Sequence, residues 1–248
     1  MGKRFLYYSS LGAAPSNLYP KCKYFAFDGV NDMIYNINSA DYQFIRNSNP
    51  FTIEQYLKIN NSGSFTYVAN QWRPFGTYSW RLLTAHDATS NEFKLRLDLS
   101  SNGSSVTQTL ITSDTFDYSE IHHIVLALDI ANTDYKLYVN GVSYSFTTSV
   151  TVTSFSTANQ EIELGANLSA GNYKTLDYYY FNLFEAFKSD VEIQAMFSIA
   201  DNCPTIPSTV NRVMLLDANT AVWDGSDYDS LDGKITSQNM AEAALISC

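Results

Sequence analysis

The residues that could do chemistry in this chain are few, and their spacing limits what they could do. Glu161 and Glu163 flank Ile162 and would share one face of a strand. Two carboxylates can cleave a glycosidic bond only when they oppose each other across a groove. A pair on one strand face, with no third acid beside it, reads instead as a solvated surface. His122 and His123 are adjacent, so on a strand they point to opposite faces and cannot both serve one site. His86 lies beside Asp87 with no nucleophile near in sequence. The chain has no Gly-x-Ser-x-Gly elbow, no phosphate-binding loop and no His-Glu-x-x-His helix. These absences lead to the expectation that the protein is not an enzyme. Binding is better served. Gln71-Trp72-Arg73-Pro74-Phe75-Gly76-Thr77-Tyr78 reads as a loop carrying Trp72, Phe75 and Tyr78. Such rings stack on the apolar faces of sugars, while Arg and Gln bond hydroxyls. The same rings also suit packing beneath a loop or a contact between subunits.

The surroundings of these residues are acidic and aromatic. In 248 residues there are 25 acids against 15 bases, a formal charge of −10, which repels phosphate backbones and anionic lipid surfaces. Nucleic acid and membrane insertion are therefore not expected. The acids could supply oxygen ligands to a hard cation. Eighteen Tyr, 15 Phe and 3 Trp favour pleated, half-buried surfaces. Cys22, Cys203 and Cys248 have neither a disulfide-framework nor a zinc-site spacing. The first residues lack the apolar core of an export signal, and no segment has the length of a membrane-spanning helix.

The elements that must position these groups are short strands. Phe93, Leu95, Leu97 and Leu99 alternate with Lys94, Arg96 and Asp98, which places an apolar face inward and a charged face outward. Phe51-Thr52-Ile53-Glu54 alternates likewise. Ile121 to Asp129 is more continuously apolar and predicts a central strand. Asn140-Gly141 between two strands predicts a type I′ hairpin, and Asp28-Gly29 between Tyr24–Phe27 and Met33–Ile37 predicts a second hairpin. One short helix is expected at Ser189-Asp190-Val191-Glu192, where Ser189 and Glu192 have capping-box spacing. Many strands and almost no helix predict an all-β, antiparallel two-sheet sandwich. Residues 1–22 read as an arm, 23–199 as the sandwich and 200–248 as a C-terminal extension.

Six phrases occur in one order: Tyr24–Asp32, Phe51–Lys58, Ile121–Val125, Leu137–Gly141, Ile162–Gly165 and Ser189–Ile193. In this order they resemble the concanavalin A-like, laminin-G-type jelly rolls of bacterial surface and bacteriophage proteins. Two positions depart from that pattern: Ile121 replaces the family's tryptophan, and its acidic pair falls on Tyr179 and Tyr180. The resemblance implies a jelly-roll sandwich with oxygen-rich rim loops. Calcium is then a possible cofactor, with Asp28, Asp32 and Asp177 as its candidate ligands. It also implies a non-catalytic structural, decoration or adhesion protein of a bacteriophage virion. Such a protein would pair with other virion proteins or with copies of itself, and with surface glycans. The alternatives are a carbohydrate-binding module on a bacterial cell surface and, after it, a glycoside hydrolase.

Overall fold

The computed structural model describes residues 24–36, 42–60, 65–73, 77–86, 91–156, 161–167, 172–173, 175–200, 212–217, 222–223, 228–229, 235–238 and 245–246. The arm at residues 1–22 lies outside them. In chain order, β1 (Tyr24–Asp28) and β2 (Met33–Asn36) precede the one-turn helix α1 (Gln43–Arg46). Next come β3 (Phe51–Ile59), β4 (Thr66–Arg73), β5 (Thr77–His86), β6 (Glu92–Leu99), β7 (Gln108–Ile111) and β8 (Phe116–Asp117). They are followed by β9 (Ile121–Asp129), β10 (Asp134–Val139), β11 (Val142–Tyr144), β12 (Glu163–Leu164), β13 (Ala166–Asn167), β14 (Asn172–Tyr173) and β15 (Thr175–Phe184). After helix α2 (Asp190–Ala200) come β16 (Arg212–Asp217), β17 (Val222–Trp223), β18 (Tyr228–Asp229), β19 (Ile235–Gln238) and β20 (Leu245–Ile246). None of the helices among the described residues is long and apolar enough to cross a membrane.

Apart from the small antiparallel pair β13–β14, the described strands form two antiparallel sheets. The first has the order β11-β10-β9-β3-β15-β1-β20, with β16 also on β15. The second has the order β17-β18-β19-β2-β12-β4-β5-β6-β7, with β8 also on β6. Apolar side chains at alternate positions meet between them. Phe51, Ile53, Leu57, Ile124, Leu126 and Leu128 come from the first sheet; Ile34, Trp80, Leu82, Phe93, Leu95, Leu97 and Leu99 come from the second. All are fully buried. Each such side chain is worth about 1.5–3 kcal/mol of burial, so this layer holds the sandwich together. The central place of β9, between β10 and β3, explains its continuous apolar run. Its inner face fills the core, while Val125 on its outer face packs with Phe184, Ile193 and Met196 under α2.

Two local motifs behave as their residues predict. Asn140 and Gly141 both have positive φ, 51° and 75°, and close the β10–β11 hairpin with Val139 opposite Val142. Ser189 Oγ accepts from Glu192 N at 3.3 Å, and Ser189 N donates to Glu192 Oε2 at 2.8 Å. The Ser189 N–H and the Ser189 hydroxyl, which donates to Glu192 Oε2 at 2.7 Å, pull the Glu192 carboxyl down to about 2, and the reciprocal pair caps the start of α2.

The Asp28-Gly29 hairpin does not form. β1 pairs with β15 and β20 in the first sheet, whereas β2 pairs with β12 and β19 in the second. The turn carries the chain from one layer to the other, because Phe25 and Phe27 must enter the core from one side and Ile34 from the other. Asp28 Oδ1 accepts from Val30 N at 2.7 Å, and buried Asp32 accepts from Asp28 N at 2.8 Å, which holds the crossing. The helix α1 was also not anticipated. It is one turn long and buries Phe44 and Ile45 in the core.

The described strands after residue 200 join both sheets. β16 pairs along the Tyr180–Phe184 half of β15, and β20 pairs with β1. β19, β18 and β17 prolong the second sheet beyond β2.

Candidate ligand-binding face

The outer face of the second sheet gathers most of the polar and aromatic chemistry. Its register sets Glu163 opposite Asn70, Asn70 opposite Arg81, Arg81 opposite Asp98 and Asp98 opposite Thr109. Asp98 is fully buried and is the hub of this row. Its Oδ2 accepts from Arg81 Nε at 2.8 Å and Nη2 at 2.7 Å. Its Oδ1 accepts from Arg96 Nε at 2.8 Å and Thr109 Oγ1 at 2.6 Å. Charge-assisted bonds of this kind, in a partly dry setting, lock both guanidinium planes. The two arginine side chains keep 17% and 22% of their surface exposed.

Aromatic rings border the cluster. Trp72 stacks on Tyr78 with ring centres 4.4 Å apart and planes within 8°. The Arg81 guanidinium lies 4.4 Å from the Trp72 ring centre and 5.8 Å from that of Tyr67. Trp72 and Tyr78 meet because the β4–β5 register shifts between Gln71 and Trp72, which skips Ser79 and brings Tyr78 opposite Trp72. Trp72 is 4% exposed, so it is the wall behind Tyr78 and Arg81, and half-buried Tyr78 is the more accessible ring. The sequence assigned these rings to a loop; Trp72 and Tyr78 belong to the paired strands β4 and β5. Phe75 lies outside the described residues. At the other end of β4, Phe65 is 47% exposed, with the Arg96 guanidinium 5.2 Å from its ring centre.

A match to known proteins places this sandwich. Residues 35–183 match the laminin-G-type model described as the concanavalin A-like lectin/glucanases superfamily. The chain belongs to this superfamily. The lectin-like domain is similar in fold to a protein of Bacteroides ovatus ATCC 8483 provisionally named carbohydrate-binding, with a TM-score of 0.57 at 12% identity. That match covers 88% of this chain and 58% of the other, so the domain spans little more than half of that protein's length. It is similar to the heptameric SAP-like pentraxin of Limulus polyphemus, with a TM-score of 0.57 at 10% identity, over 90% and 98% of the two chains. The CBM40 of the Ruminococcus gnavus IT-sialidase, solved with α2,3-sialyllactose, aligns with a TM-score of 0.51 at 14% identity, over 71% and 97%. No curated protein sequence matches the chain. At these identities the structural likeness speaks for the fold alone.

In the lectin-like domain the three aspartates considered for calcium are placed as follows. Asp28 and Asp32 share the β1–β2 crossing, where their carboxylates accept backbone N–H groups. Burial, opposed by the Asp28 N–H, holds the Asp32 carboxyl above the usual range. Asp177 is on β15, opposite Ala26 on one side and Lys58 on the other. Burial pushes its carboxyl up, while Lys58 and Asn60 draw it down. Among the described residues no group of three or more His, Cys, Asp or Glu could hold a metal ion.

The paired histidines do take opposite faces. His122 points into the sandwich, edge-on to Phe93, with Nε2 2.8 Å from the Asp117 carbonyl oxygen. His123 points outward to Glu54 Oε1 at 2.9 Å. Glu54 also accepts from Tyr180 Oη at 3.0 Å and Asn182 Nδ2 at 2.8 Å. This set lies on the outer face of the first sheet, with the Phe197 ring of α2 centred 6.0 Å from the His123 ring. Glu163 is fully buried.

Sequence reasoning missed Arg81, Arg96, Asp98, Thr109 and Phe65 as one group. The outward alternation of β6 already separated Arg96 and Asp98 from the core. Their partners come from β5 and β7, and only the strand register shows that.

Proposed function

We propose that this lectin-like domain binds carbohydrate without cleaving it, on the outer face of its second sheet. The observation that carries the reading is the Arg81–Asp98–Arg96 cluster beside the Trp72–Tyr78 stack. A carbohydrate site needs fixed hydrogen-bond donors next to ring faces, and here the donors are held by a buried carboxylate. Membership of a lectin superfamily supports the reading, as does the fold shared with proteins named for carbohydrate binding. Binding without cleavage fits the state of the acids: both oxygens of Asp98 are committed to arginine and threonine donors. The biological setting we propose is a bacteriophage virion, as a decoration or adhesion protein that contacts virion partners or its own copies. It rests on the resemblance to phage jelly rolls.

A glycan array tests binding. The wild-type chain should bind a restricted set of saccharides, and Tyr78→Ala should lower that signal about two- to tenfold, the loss of one stacking ring. An array with no signal would remove the reading. Mass measurement in solution tests the setting: self-association supports it, and a strict monomer that joins no particle counts against it.

A further inference from the structure

The cluster on the second sheet has one more positive charge than its own acid can neutralise. Two guanidiniums, Arg81 and Arg96, share the single carboxylate of Asp98, and two positive charges less one negative leave one. Lys94, on the same outward face of β6, adds another positive group two residues from Arg96. Among the described residues the other acids of this face are placed apart. Glu92, at the far end of β6, accepts from Thr115 Oγ1 at 2.7 Å. Glu163 is buried beyond Asn70 in the cross-sheet row. Asp98 already receives four donor contacts, so the remaining N–H groups of the guanidiniums cannot be satisfied by it. Phe65 stands beside Arg96 and is one of the large apolar side chains left exposed among the described residues. Among the described residues, buried Asn70 Oδ1 and Ser79 Oγ have no hydrogen-bond partner.

We propose that Phe65 and Arg96 form an anionic-saccharide subsite: the phenyl ring takes the apolar face of a sugar, and Arg96, fixed by Asp98, pairs with a carboxylate or sulfate that the sugar carries. The inference rests on the carbohydrate-binding reading above and narrows its ligand class. A chain of formal charge −10 repels anions at long range, so such a ligand must be captured by local pairing. The planar fork of arginine matches both carboxylate and sulfate, and a half-dry site strengthens the pair.

The test uses the full chain on immobilised saccharides that carry uronate, sialate or sulfate groups, each beside its neutral parent. Binding should favour the anionic member by about tenfold or more, the worth of one charge-assisted hydrogen bond, and should weaken as sodium chloride is raised. The pattern of uronate and sialate hits against sulfate hits identifies which anion is read. Phe65→Ala, at an exposed position, should leave the unfolding midpoint unchanged and lower binding of the anionic member. Arg96→Gln should remove the preference for it over the neutral parent. Equal binding of anionic and neutral members, insensitive to salt, overturns the subsite and leaves carbohydrate binding standing. Retained anionic preference in a folded Arg96→Gln chain also overturns it. No binding to any saccharide removes both readings.

Discussion

Removing the Asp98 carboxylate should be among the most destabilising single changes on the outer face of the second sheet. Asp98→Ala leaves Arg81 and Arg96 side by side with no counter-charge and strips Thr109 of its acceptor. Breaking a fully buried ion pair by deleting one partner costs about 3–5 kcal/mol. The arginines here keep 17% and 22% of their side-chain surface, so water recovers part of that, and about 2–3 kcal/mol remains. With a urea dependence of about 3 kcal/mol per molar for a domain of this size, the unfolding midpoint should fall by about 1 M. Asp98→Asn should cost nearly as much, because the amide keeps the shape and loses the charge. The double change Asp98→Leu with Arg81→Met should recover about 1 kcal/mol or more, since an apolar pair leaves fewer charges stranded. An Asp98→Ala chain that unfolds within about 0.5 kcal/mol of wild type would refute the hub and the register that builds it.

Two further outcomes are expected. Gly141→Ala must adopt φ near 75° and places a β-carbon 2.6 Å from the Phe197 ring, so it should destabilise by about 2–3 kcal/mol in urea unfolding. Gly141→Asn tolerates that φ, so its cost isolates the contact with α2; no loss in either variant would mean that α2 does not rest on the hairpin. Burial, opposed by the bond at the Asp117 carbonyl, holds the His122 imidazole below its ordinary value, so the folded state resists a proton that the unfolded chain accepts. The contribution is therefore complete above about pH 6.5 and is lost as pH falls below it. The urea midpoint should decline from about pH 7 to about pH 5 less steeply in His122→Gln than in wild type, and equal slopes would contradict the burial of this ring.

Particular residues mark where the sequence was legible. Phe93, Leu95, Leu97 and Leu99 could be assigned to the core because alternation is a property of one strand. The Ser189–Glu192 box and the Asn140-Gly141 turn were readable for the same reason: their hydrogen bonds and φ values involve neighbours in the chain. Asp28-Gly29 misled because a turn signal says that the chain bends, not which sheet it bends into. Trp72 and Tyr78 were singled out as rings, but their stack depends on a register shift that no local pattern encodes.

Local alternation and turn chemistry thus decided, within the sequence itself, that this chain folds as an antiparallel sandwich with a capped helix. Which charged groups meet was decided only across strands. Asp98 lies opposite Arg81 and Thr109, 17 and 11 residues away in the chain. Hydrogen-bond register is set by how both sheets bury their apolar faces at once, a collective condition that no single strand carries. The candidate site exists because that condition brings one acid and two arginines onto the same few ångströms of sheet.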